Sequence, residues 1–186
     1  MPLSKKSFEN LELKILATLE GRRVLDVPYY RYLYPPSKEV VCIEMFEKFC
    51  DILKRNGYCA ETIYLSEIII KALDNLGFLS KTNIELEEEN YTELEDNLKD
   101  VLVDEVVDIL KEQLQDKDIS HCAIFLRTGS IFPFIHVSEL LSKMEGYIKC
   151  TVIVAYPGSK EGYMLGIKGD KVYYRGESIG DETNAN

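Results

Sequence analysis

The sequence predicts an α/β fold: one three-layer, Rossmann-like domain over residues 1–186, with a mainly parallel sheet and a C-terminal β-hairpin. Three observations carry this expectation. Short runs of strand type alternate with segments of helical periodicity. The connections between them are two or three residues long, which implies right-handed crossovers and a parallel sheet. Two of the strand-type runs, residues 122–127 and 151–156, are apolar and each leads into a glycine-containing polar turn. That is the geometry of a site at the carboxyl edge of a parallel sheet. A chain of this length buries about 70% of its unfolded surface, so it needs no metal or disulfide staple.

Each element has its own signal. Residues 1–6 read as a frayed tail. Phe8, Leu11, Ile15 and Leu19 stand at helical spacing over residues 7–19, and Gly21 closes that helix. Residues 24–34 are rich in Val, Leu and Tyr and read as a strand, stopped by Pro35-Pro36. Ser37 is placed to cap a long helix to Asn56, with Gly57 beyond it and Val40, Val41, Met45, Phe49, Ile52 and Leu53 on its apolar face. A strand over 59–65 follows, then a helix over 67–76 capped by Ser66 and ended by Gly77. Residues 81–91 are polar and acidic, a loop or insert. The next helix covers about 92–114, with Leu94, Leu98, Val101, Leu102, Val106, Ile109 and Leu110 on one side. Asp100, Asp104, Asp108 and Glu112 form a ladder on the other. A strand over 122–127, a helix over 137–144 and a strand over 151–156 come next. The hairpin pairs 163–167 with 171–175 around Lys168-Gly169-Asp170, and the polar end from Gly180 reads as disordered.

Charge is segregated. Residues 85–118 hold 14 acidic and 3 basic side chains, whereas the remainder holds 18 and 19, so the formal charge of −10 belongs to one segment. An acidic chain is a poor direct ligand for nucleic acid. The acidic ladder reads first as a solvated helix face and, more pointedly, as a docking surface for a basic partner. The five cysteines form no Cys-x-x-Cys pair, and their odd number suits a reducing compartment. Small apolar core residues are the simplest reading of them, and the spacing offers no zinc site. The apolar runs fall far short of a membrane span of about 20 residues, and the N-terminus has no secretory pattern. A cytoplasmic location follows.

The predicted carboxyl edge gathers Tyr34-Pro35-Pro36, Ser66-Glu67, Arg127-Thr128-Gly129-Ser130 and Tyr156-Pro157-Gly158, with Ser159-Lys160 beyond. An anion could be held there by Thr128, Ser130 and neighbouring N–H groups, with Arg127 or Lys160 adding charge. The phosphate-loop patterns are missing, however, and Pro35-Pro36 stands where glycines would be needed; proline has no N–H to donate. His136, Ser138 and Glu139 invite a triad reading, but no nucleophile elbow is present. Ser138 and Glu139 suit the first turn of a helix instead. Ile131-Phe132-Pro133-Phe134-Ile135 is an apolar connection that must be buried either in the domain or against a partner.

Several blocks resemble the BrxB family, an accessory component of BREX (bacteriophage exclusion) defence systems. They are Tyr34-Pro35-Pro36, residues 129–134 with 137–141, Val154-Ala155-Tyr156-Pro157-Gly158, and Tyr173-Tyr174-Arg175. Their order and spacing match over residues 24–179. Arg127 departs from the pattern, where a small or apolar residue is expected, and nothing in 85–118 aligns. The resemblance implies a non-catalytic antiviral scaffold or adaptor without cofactor. Its implied partners are other BREX proteins: the adenine methyltransferase (PglX), the alkaline-phosphatase-like protein (PglZ) or the large ATPase (BrxC), with self-association left open. The docking edge would use Tyr34, Pro35, Pro36, Arg127, Thr128, Gly129, Ser130, Phe132, Tyr156, Pro157, Gly158 and Arg175. The alternative is an anion- or nucleotide-binding regulatory domain using Thr128, Gly129, Ser130, Gly158 and Ser159.

Overall fold

The computed structural model describes residues 5–79, 91–158, 163–164, 167–168 and 176–180. The chain runs through α1 (Lys5–Leu19), β1 (Tyr29–Leu33), a 3-10 turn (Pro36–Lys38), α2 (Glu39–Arg55), β2 (Cys59–Tyr64) and α3 (Leu65–Asn75). It continues through α4 (Tyr91–Leu114), β3 (His121–Leu126), a second 3-10 turn (Thr128–Ile131), α5 (Val137–Met144) and β4 (Thr151–Tyr156). Two-residue strands β5 (Tyr163–Met164) and β6 (Ile167–Lys168) precede β7 (Glu177–Gly180). No helix among the described residues is long and apolar enough to cross a membrane.

Five strands form one sheet in the order β2-β3-β4-β1-β7. Every pairing is parallel, with Tyr29 opposite Val152, Cys122 opposite Thr151, Cys59 opposite His121 and Tyr30 opposite Glu177. Strand alternation sends successive side chains to opposite faces. Tyr29, Leu33, Phe125, Val152 and Val154 pack on one side with the inner faces of α3, α4 and α5. Tyr30, Tyr32, Ile124, Leu126 and Ile153 pack on the other with α1 and α2. The result is the expected three-layer sandwich. β1, β3 and β4 are buried along their whole lengths because they are covered on both faces, which is why β3 and β4 read as largely continuous apolar runs. The path from β1 to β2 crosses one face through α2. The paths from β2 to β4 return across the other face, so these crossovers share one hand.

On the side of α1 and α2 the core is aromatic. Phe8 meets Tyr32, Phe46 and Phe49 edge-on, with centroids 5.6, 5.2 and 6.0 Å away. The Tyr30 hydroxyl lies 2.7 Å from Thr18 Oγ1, which donates in turn to the Lys14 carbonyl. Both α2 and α3 end in the same way. Gly57 (φ 86°) and Gly77 (φ 78°) take left-handed backbone. The next amides, of Tyr58 and Phe78, then reach back to the carbonyls of Leu53 and Leu73.

Several expectations need correction. The first strand is only Tyr29–Leu33, because Pro28 has no N–H to pair; its carbonyl accepts from Val152 instead, and Val24 is 86% exposed. Ser37 sits inside the 3-10 turn, and Ser66 inside α3, so neither caps a helix. The apolar face of α2 is Cys42, Ile43, Phe46, Phe49, Cys50 and Leu53, which leaves Val40, Val41 and Ile52 exposed. On α4, Val101 faces out and Val103 and Val107 face in; Leu94, Leu98 and Asp100 lie outside the described side chains. Four cysteines are buried as expected, but Cys59 is exposed. In the hairpin Met164 pairs with Ile167, so the reversal precedes Lys168-Gly169-Asp170. Gly180 ends a fifth sheet strand, β7, rather than beginning a tail.

Candidate functional site

Parallel strands place the ends of β1, β2, β3 and β4 on one edge, and the candidate residues meet there. The Tyr34 amide donates to the Tyr156 carbonyl at 3.0 Å, and Gly158 donates to the same oxygen at 2.9 Å. The Thr128 hydroxyl donates to the Ala155 carbonyl, tying the turn after β3 to the end of β4. The Ser130 hydroxyl and amide both donate to the Arg127 carbonyl, at 2.7 and 3.0 Å. These hydroxyls therefore hold the turns together.

The edge divides into supports and a surface. Tyr34, Thr128, Tyr156 and Pro157 are buried. Pro36, Arg127 and Ser130 are exposed, and Pro35, Gly129, Phe132 and Gly158 are half-buried. Arg175, with Tyr173, Tyr174, Ser159 and Lys160, lies outside the described residues. Arg127 is the first residue after β3 and adopts a left-handed conformation, φ 57° and ψ 35°. That backbone is uncommon for a side-chain-bearing residue. Burial pushes the Tyr34 hydroxyl up, with Cys42 and Glu39 adding to it and the Arg127 charge opposing. A hydrogen bond to Glu47, then burial, pushes Tyr64 up to about 12, again against Arg127. The charge of Arg127 is thus felt at Tyr34, after β1, and at Tyr64, the end of β2.

The apolar connection after the Gly-Ser turn is shared between core and surface. Ile131 and Ile135 are fully buried. Phe132 and Phe134 pack against the core on one side only, and the Phe132 ring meets His136 edge-on at 6.0 Å. The His136 carbonyl accepts the amides of Glu139 and Leu140, each at 3.0 Å, so its residue opens α5. Three helices that begin at this edge carry a carboxylate in the first turn: Glu39 on α2, Glu67 on α3 and Glu139 on α5. These acids complement the positive helix ends, and a bound anion would have to compete with them.

Sequence reasoning missed three features. Arg31 is 4% exposed in the middle of β1, its Nε and Nη2 donating to Ser178 Oγ at 3.1 and 3.0 Å. Its guanidinium lies 4.9 Å over the Tyr156 ring, so it supports the edge from beneath. The only signal was one basic residue within Tyr-Tyr-Arg-Tyr-Leu-Tyr. Second, Glu61 of β2 bonds His121 Nε2 at 2.8 Å and Gln113 Nε2 at 2.6 Å, fastening α4 to the sheet. Third, a cavity of about 490 Å³ lies at the opposite edge of the sheet.

The family model described as BREX protein BrxB matches residues 61–179. The match covers the turns after β3 and β4, while Tyr34-Pro35-Pro36 precedes it. Searches of the curated proteins and of the solved structures gave no match.

Proposed function

The chain belongs to the BrxB family of BREX proteins, and on that premise we propose that it is a non-catalytic scaffold or adaptor acting in the cytoplasm through contacts with other BREX proteins. The observation that carries this reading is the state of the carboxyl edge. Thr128 and Ser130 spend their hydroxyls on backbone carbonyls, and Pro35-Pro36 offers no N–H. The helix starts carry their own acids. This edge presents outward a proline, a cation and a half-covered aromatic ring: Pro36, Arg127 and Phe132. Aromatic and arginine anchors of this kind suit protein interfaces.

The test is co-purification of the tagged chain with the PglX-like, PglZ-like and BrxC-like proteins of its own system. Retention of at least one is expected at micromolar concentration. Retention should fall tenfold or more in Arg127→Glu/Phe132→Ala while the variant still unfolds cooperatively. Failure of the wild-type chain to retain any of them sinks the reading.

A further inference from the structure

The cavity lies where the chain enters β1, β3 and β4, at the amino edge of the sheet. Val27, Tyr29 and Ile148 form a buried apolar floor. Tyr29 is held in place by donating its hydroxyl to the Ile148 carbonyl at 3.3 Å. Around the floor stand the carboxylates of Asp26, Asp118 and Glu145, against one cation, Lys149. Asp118 accepts the amide and hydroxyl of Ser120 at 2.9 and 2.5 Å, and these bonds hold its carboxyl below the usual range, so it is charged.

Two further observations point the same way. The connections that line the cavity follow the carboxyl ends of α1, α4 and α5. Each such end carries roughly half a negative charge, which favours a cation. Ile119 of the lining is 38% exposed, and Val24 and Tyr147, each next in sequence to a lining residue, are 86% and 58% exposed. The Tyr147 ring already takes one ammonium, Lys111 Nζ, at 4.0 Å from its centroid. A surface that combines an apolar floor, an acidic rim and negative helix ends is complementary to a side chain with an aliphatic stem and a cationic head.

We propose that this cavity docks a basic, partly apolar segment of a partner polypeptide, with a Lys or Arg stem on Val27 and Ile148 and its head among Asp26, Asp118 and Glu145. The inference rests on the scaffold reading and gives it a second surface, on the opposite edge from Arg127. The full chain, labelled for amide NMR, is titrated with the peptide acetyl-Leu-Arg-Leu-Lys-amide and with its acidic counterpart carrying Glu at both basic positions. Saturable shifts are expected at the amides of residues 25–27, 29, 118–119 and 145–149 with the basic peptide only. Asp26→Lys/Glu145→Lys should weaken binding tenfold or more, and Asp26→Asn/Glu145→Gln by less, with the rest of the spectrum unchanged. Shifts elsewhere, equal shifts with both peptides, or undiminished binding by the variants would overturn the proposal. Co-purification separates the two claims. BREX proteins retained equally by the wild type and the Lys variant refute the cavity and leave the scaffold. No retained protein beside a saturable, variant-sensitive titration refutes the scaffold and leaves the cavity.

Discussion

Arg127 concentrates the tension between local conformation and use. A left-handed backbone costs a residue with a Cβ about 1–2 kcal/mol. Arg127→Gly removes that strain and gives part of it back through the freer unfolded chain. The expected outcome is a gain of up to about 1 kcal/mol, read as a higher urea midpoint with the slope unchanged. A lower midpoint would mean that the guanidinium near Tyr34 and Tyr64 contributes more than the strain costs. The sequence marked this position only as an arginine in the place of a small residue, which is what a left-handed turn would ordinarily take. Arg31 was less legible still. A buried guanidinium is readable only from its partner, and Ser178 lies far along the chain.

Among the elements, β7 depends most on distant residues. Glu177 is bonded by both Lys14 and Arg23, Ser178 by Arg31, and Ile179 enters the core. Gly180 passes so close to β1 that an added Cβ would lie 2.5 Å from the Leu33 carbonyl oxygen and 2.6 Å from its Cβ. Gly180→Ala is therefore expected to displace the strand and cost about 1–3 kcal/mol. Hydrogen exchange should show the amides of 177–180 losing protection first. Unaltered protection there would refute the tight approach. The sequence Glu-Ser-Ile-Gly gives no strand signal, since one apolar residue in four sets no period and the reasons for pairing sit on α1 and β1. By contrast β3 and β4 were legible because burial on both faces demands unbroken apolar runs. The apolar face of α2 was misjudged for a related reason. Cys42 and Cys50 are small but fully engaged in the core, and Val40 and Val41 are larger but face water.

For the whole molecule, the two edges of the sheet present different surfaces. At the carboxyl edge, committed hydroxyls and resident acids oppose anion binding. Thermal unfolding of the full chain should accordingly be unmoved by millimolar ATP, GTP or phosphate. A ligand at 100 times its Kd would add about 2.7 kcal/mol, a shift of several degrees for a domain of this size. Such a shift, abolished by Arg127→Ser, would favour the anion-binding alternative. The carboxyl edge was visible in the sequence because each of its turns follows a recognisable strand. The amino-edge cavity was not. Its members come from three separate connections that only the strand order brings together.

That strand order also dictates a timetable. β1 lies between β4 and β7, with Tyr30 facing Ile153 on one side and Glu177 on the other. It leaves the ribosome long before either neighbour has been made, at about 5–20 residues per second. The β2-β3 pair, closer in sequence, can assemble without it. The tyrosine-rich first strand therefore waits, unpaired, for the last part of the matched region, and the sheet closes around its earliest segment only when that part arrives. The nascent protein is most vulnerable to misassociation during this wait, and a cell making it quickly would gain from a chaperone or partner that shelters residues 29–34.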